Sequence, residues 1–191
     1  MRRILKTFVA AVALAAPLAF AQTDTPADHT TDPREFSEAA RKEYAQSLRE
    51  ARKLVAEKKY DEAIAILDKL GTSRPREPQA RFLKSVAQSE AGRPDDALAT
   101  LTALAADFPE LPEVRNNLAV LHAARGNLEL AKAELELAIA ASPEYSPAVE
   151  NLGDVYVRLA ARQYERAAAL EKGKGLAPAK LKLVRDALAV H

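Results

Sequence analysis

The sequence predicts an all-α protein in which pairs of helices follow one another along the chain. Composition is the first observation: Ala and Leu are abundant and only six glycines occur in 191 residues, which favours helix because these side chains lose little freedom in one. The second observation is a repeat in the residue numbers, because Pro75, Pro109 and Pro143 recur with a constant period of 34. Hydrophobic residues make up 48% of the chain and charged residues 29%, as expected of a folded domain.

Three further sets of residues keep the same period. They are Ala63, Ala97 and Ala131; Leu67, Leu101 and Leu135; and the small residues Ala51, Ser85, Ala119 and Gly153. Each period is interpreted as a first helix that carries the small residue, a turn, and a second helix that carries Ala and Leu. Small residues let paired helices approach closely, and proline ends the second helix because it cannot continue one.

Turns are predicted at Gly92 and at Gly126-Asn127, between the two helices of a pair. Acidic residues stand where the second helices begin, and there the aligned peptide dipoles favour negative charge. They are Asp61, Glu62, Asp95, Asp96 and Glu129. This position explains them without a bound metal ion.

The two ends of the array depart from the regular period. Counted from Pro143, Pro178 comes one position later than the period predicts, and no turn residue lies between Leu159 and Leu170. The sequence favours one long helix over 147–172, and a tight turn within it is the alternative. A last helix over 179–190, with Leu181, Val184 and Leu188 on one face, is expected to close the array. A helix from Pro33, capped by Asp32, to about Lys58 would do so at the other end.

Two segments carry a family resemblance: Leu152-Gly153-Asp154-Val155-Tyr156 and Leu118-Ala119-Val120-Leu121-His122. With the recurring Ala, Leu and Pro they resemble the tetratricopeptide repeat over about residues 44–178. The first-helix aromatic of that family is missing, and Glu50 and Lys84 stand where Leu is usual.

The resemblance implies a right-handed superhelical array of antiparallel helix pairs. The array would contain about three regular repeats, then a degenerate fourth repeat and a C-terminal capping helix. The expected repeats are about 44–77, 78–111, 112–145 and 146–178, within a helical domain over 33–191.

The N-terminus has the pattern of a secretory signal peptide. Arg2, Arg3 and Lys6 precede an apolar run over 8–20, and Ala19 and Ala21 place small residues before a predicted cut after Ala21. A membrane anchor is the alternative, but the run is too short to span a bilayer. We therefore expect a signal peptide over 1–21, a flexible leader over 22–32, and a periplasmic or otherwise exported chain that is not inserted in a membrane.

The sequence offers little for catalysis, cofactors or metals. The 28 basic and 27 acidic residues nearly cancel, so a nucleic-acid partner is not indicated, and the absence of cysteine excludes thiolate metal sites. His29, His122 and His191 lack the spacing of a helical metal pair, and His122 is expected to be a packing residue. Gly173-Lys174-Gly175 follows a helix rather than a strand, so it is interpreted as a helix end and not a phosphate loop.

The resemblance also implies a concave ligand surface lined by the first helices. The candidate residues are Arg52, Gln79, Phe82, Val86, Ser89, Asn116, Asn117, Val120, Ala123, Glu150, Asn151, Asp154 and Arg158. Asn117 and Asn151 are one period apart, and an Asn amide both donates to and accepts from a peptide bond. The alternative is that these amides cap or bridge helices of the array itself.

Together these features predict a non-catalytic scaffold or adaptor of the bacterial cell envelope that binds another protein or an extended peptide. The alternative is an accessory subunit that docks an envelope enzyme, such as a peptidoglycan-processing one. An enzyme in its own right would need clustered titratable groups, for example a closed pocket with His122 beside a carboxylate.

Overall fold

The computed structural model describes residues 37–189, and all regular structure in that range is helical. The predicted signal peptide, the leader and residues 33–36, 190 and 191 lie outside it. The helices are α1 (Glu38–Ala56), α2 (Tyr60–Ser73), α3 (Pro78–Glu90), α4 (Pro94–Asp107), α5 (Pro112–Ala124), α6 (Leu128–Ala141), α7 (Ser146–Leu170) and α8 (Ala177–Ala187). The prediction of an all-α fold of successive helices is confirmed.

A serine caps the start of helix α1. Ser37 has an extended backbone (φ −65°, ψ 141°), and its hydroxyl accepts a hydrogen bond from the amide of Ala40 at 3.1 Å. A serine in this position satisfies one of the amide groups that a helix start leaves without a partner. The predicted start at Pro33 lies outside the described residues, and within them this helix begins at Glu38.

The described chain divides into two compact units, residues 37–107 and 108–189. In the first unit, α1 packs on α2, α2 on α3, and α3 on α4. The residues of the repeating period form its interior: Ala51, Ala63, Leu67, Ser85, Ala97 and Leu101 are all buried. The hydroxyl of Ser85 donates to the carbonyl oxygen of Phe82 at 2.6 Å, so a polar side chain is tolerated at that depth.

The turns between paired helices share one backbone geometry. Gly92 and Gly126 have φ values of +75° and +79°, and the following amides bond back to Gln88 and His122 at 2.8 and 3.0 Å. This is the Schellman arrangement, in which a left-handed residue ends a helix. Lys58, one period earlier than Gly92, takes the same position with φ +61°.

In the second unit, α5 packs on α6, α6 on α7, and α7 on α8. Ala119, Ala131 and Leu135 are buried there as the period predicts. Gly153 is not: it is exposed, and no heavy atom lies within 4 Å of where its Cβ would be. The prediction that Gly153 permits a close helix contact is wrong, because α7 continues where a second helix would have turned back alongside it.

The fourth repeat is one helix, as favoured from the sequence: α7 runs unbroken for 25 residues. Ala160 stands one period after Gly126 and is helical, so the left-handed turn of the earlier repeats is absent at this point. Helix α8 then begins at Ala177 and ends at Ala187, whereas 179–190 was predicted.

Candidate binding surfaces on the first helices

In residues 37–107 the candidate residues lie on α1 and α3. Arg52 is exposed, and Gln79, Phe82 and Ser89 are half-buried. Val86 is only 4% exposed and is part of the core, so its predicted place on the surface is wrong. A valine at this position stabilises packing and leaves little area for a ligand.

The charged residues of α3 bind neighbouring helices of their own unit. Arg81 pairs with Asp107 at 2.6 Å, and Lys84 pairs with Asp68 at 2.5 Å. Lys84 replaces the leucine usual in the family, and its ion pair to α2 explains how a charge is accommodated. These cations are therefore engaged within the fold.

A buried polar cluster holds the turn between α2 and α3 against α1. Arg74 lies over the ring of Tyr44, 5.0 Å from its centre, and pairs with Glu77 at 2.7 Å. Burial, with Glu77 nearby, raises the pKa of Tyr44 to about 12. The sequence pattern does not indicate this cluster, because Tyr44 lies on a different helix, far along the chain from Arg74 and Glu77.

In residues 108–189 the candidates lie on α5 and α7, which contact each other. Asn117 and Asn151 are half-buried, so each keeps part of its surface in contact with solvent. Asn116, Val120 and Ala123 are 3%, 4% and 4% exposed, so their predicted exposure is wrong. The period predicts which way a first-helix residue points but not how deeply its neighbours cover it.

Asn151 joins the two helices. Its Nδ2 donates to Oδ1 of the buried Asn116 at 2.8 Å. The helix-bridging role predicted as the alternative for these amides is thus present for Asn151, which bonds to Asn116, and Asn117 takes no part in it. It leaves Oδ1 of Asn151 without a partner among residues 37–189, and the same holds for the whole amide of Asn117.

Three charged residues extend this surface along α7. Glu150 is exposed, and Asp154 and Arg158 are half-buried one turn and two turns further on. Burial lowers the pKa of the Arg158 guanidinium, and the charge of Asp154 opposes that shift. We define the α5–α7 surface as Asn117, Glu150, Asn151, Asp154 and Arg158: two amides, two acids and one base.

His122 lies in the last turn of α5. It is half-buried, and its Nδ1 is enclosed without a hydrogen-bond partner in the described range. Its carbonyl oxygen accepts the amides of Arg125 and Asn127 in the α5–α6 turn. In residues 37–189 no group of three His, Asp or Glu side chains is placed to hold a metal ion, and no helix there has the length and apolarity to cross a membrane.

Comparison with known families gives this architecture a name. The tetratricopeptide repeat model matches residues 54–121 and 88–153, which together span just over half of the chain. The chain belongs to the tetratricopeptide repeat family. No curated protein matches it significantly.

Solved tetratricopeptide repeat structures share the fold at low sequence identity. The first such domain of human RPAP3 is 20% identical, with a TM-score of 0.58, over 63% of this chain and 94% of that one. The Yersinia enterocolitica type III secretion chaperone SycD, in complex with a peptide of the translocator YopD, is 16% identical, with a TM-score of 0.57, over 64% and 98%. A thermophilic repeat protein of Thermus thermophilus is 23% identical, with a TM-score of 0.56, over 76% and 82%. These likenesses concern the fold alone.

Proposed function

We propose that this protein is a non-catalytic scaffold of the bacterial cell envelope that binds a peptide segment of another protein. The observation that carries the proposal is the pair of amides on the α5–α7 surface. Asn151 is held in place by its bond to Asn116, and Asn117, the residue after Asn116 on α5, has no side-chain hydrogen bond in the described chain. A ligand that supplies hydrogen bonds to half-buried polar groups of this kind gains binding free energy from them.

The chemistry of the surface favours an extended peptide with a basic side chain. The amides would pair with its backbone, and the carboxylates of Glu150 and Asp154 would attract a lysine or arginine. The SycD structure, which holds a peptide of its translocator, supports peptide binding as a use of this fold. Export of the chain rests on its N-terminal pattern and remains part of the proposal.

The test is to select binders from a library of random peptides and to measure their affinity for variants. Asn117→Ala removes a group without an internal partner, so affinity should fall about tenfold, as the loss of about 1–3 kcal/mol implies. Its thermal midpoint should stay unchanged, because surface changes usually alter stability by no more than about 0.5 kcal/mol.

Two comparisons make the result specific. Asn151→Ala should lower both affinity and thermal midpoint, because it also breaks the bond between α5 and α7. Glu144→Ala, at an exposed position in the turn before α7, is the matched control and should change neither. If selected peptides bind the Asn117→Ala and Asp154→Ala variants as tightly as the original chain, the α5–α7 surface is not the binding site.

A further inference from the structure

The large hydrophobic side chains that remain exposed all lie in residues 108–189 of the described chain. The three most exposed are Leu170 at 77%, Leu176 at 74% and Leu183 at 69%. Leu170 ends α7, Leu176 precedes α8, and Leu183 lies on α8. We call residues 170–183 the leucine tip. Three exposed leucines in one short segment need an explanation, because removing each of them from water would lower the free energy.

Helix α8 has apolar residues on two sides. Leu181, Val184 and Leu188 are half-buried, consistent with the packing of α8 on α7. Leu176 and Leu183 are two helical turns apart and so share the opposite, outward side. The predicted capping helix therefore covers α7 but presents a second apolar side to the surroundings.

The backbone of the leucine tip is held in a defined turn. Lys172 and Gly173 have φ values of +50° and +76°. The amide of Gly173 bonds to the carbonyl oxygen of Ala168 at 2.9 Å, and the amide of Lys174 bonds to that of Glu171 at 3.1 Å. The turn thus places lysines between the two leucines that flank it.

The leucine tip is also basic. It holds four lysines and one glutamate, a net charge of +3. Lys172 and Lys174 take part in no ion pair or hydrogen bond of their side chains within residues 37–189, and the carboxylate of Glu171 is folded against Gly175. Lys180 lies 5.8 Å from the centre of the Tyr164 ring and is still exposed. These three cations are therefore available to an external anion.

We propose that the leucine tip binds the surface of a membrane that contains anionic lipids. Proteins that lie on membranes without spanning them share one pattern. Their apolar side chains enter the boundary between headgroups and acyl chains, and their lysines reach the headgroups. Each lysine near an anionic surface strengthens binding. A protein partner fits less well, because lysine is depleted from the centres of protein interfaces.

The experiment is flotation of the chain, as recovered from its host, with vesicles of phosphatidylcholine alone or with about 30% phosphatidylglycerol. The chain should bind the anionic vesicles and release them as salt rises from about 0.05 M to about 0.5 M, since screening weakens the lysine contribution. Leu176→Ser/Leu183→Ser should weaken binding about tenfold or more, and Lys172→Glu/Lys174→Glu should remove the preference for anionic vesicles.

Leu130→Ser/Leu137→Ser is the matched control, because these leucines are exposed in the same unit but lie on α6, outside the leucine tip. It should bind as the original chain does, and every variant should keep its thermal midpoint. Equal loss in both leucine pairs, or no binding to anionic vesicles, would overturn the proposal. Self-association that is lost in Leu176→Ser/Leu183→Ser, without vesicle binding, would assign the leucine tip to a second copy instead.

Discussion

At the scale of single residues, the turn between paired helices requires a left-handed backbone at the same position of successive repeats. A left-handed backbone costs a residue with a Cβ about 1–2 kcal/mol, and glycine escapes that cost. Gly92 and Gly126 adopt this conformation without strain, whereas Lys58 adopts it, with φ +61°, in spite of its side chain. Lys58 therefore marks a place where the first repeat is less stable than it could be.

We expect Lys58→Gly to raise the free energy of unfolding by about 0.5–1 kcal/mol, the relief of left-handed strain less the greater freedom of glycine in the unfolded chain. Denaturant unfolding of the two chains measures the difference. Gly92→Ala is the opposite control and should lower stability by about 1 kcal/mol, since it introduces the same strain. An unchanged or lowered stability in Lys58→Gly would mean that the turn at residue 58 does not hold this conformation.

The burial of individual side chains in the candidate site could not be predicted from the sequence. The repeating period correctly predicted that Ala63, Leu67 and Ala97 are buried, because these residues face the paired helix in every repeat. For Val86 and Val120 the family resemblance implied exposure, yet both are buried. Their cover depends on the size of side chains on other helices, and periodicity within one helix carries no information about that.

At the scale of secondary structure, α7 shows what happens when the turn residue is lost. Ala160 occupies the register of Gly92 and Gly126, and alanine is the best helix former. The helix therefore continues to Leu170, and Gly153 and Tyr156 on its earlier turns remain exposed. The sequence predicted this element because it lacked turn residues. The exact ends of α8 were missed, since caps at helix ends compete with nearby alternatives.

Ala160→Gly should lower the free energy of unfolding by about 1 kcal/mol, because glycine in a helix interior has more freedom to lose on folding. Far-ultraviolet circular dichroism and denaturant unfolding of the variant provide the measurement. Lys58→Gly introduces glycine at the equivalent position of the first repeat and is expected to raise stability, so the two variants should change the free energy of unfolding in opposite directions. A gain in stability at residue 160 would indicate a turn there and a helix pair in place of α7.

At the scale of the whole molecule, the charge of the N-terminal segment differs from that of the rest. The chain has a formal net charge of +1, and residues 1–21 contain Arg2, Arg3 and Lys6 but no acid. Removal of this segment would leave a net charge of −2. The leucine tip carries +3 of that total, so the rest of the chain would carry −5 and would repel an anionic membrane weakly.

Export predicts a defined new N-terminus. If a signal peptidase cuts after Ala21, the intact mass of the protein recovered from its host should correspond to a chain that starts at Gln22. The enzyme requires small residues at the first and third positions before the cut, so Ala19→Arg should leave the apolar run attached and hold the chain in the membrane fraction. Ala16→Ser, outside those two positions, is the matched control and should be processed normally. A chain that retains residues 1–21 in its native host would contradict export by this route, and the charge argument for the leucine tip would then apply to a protein that is already anchored.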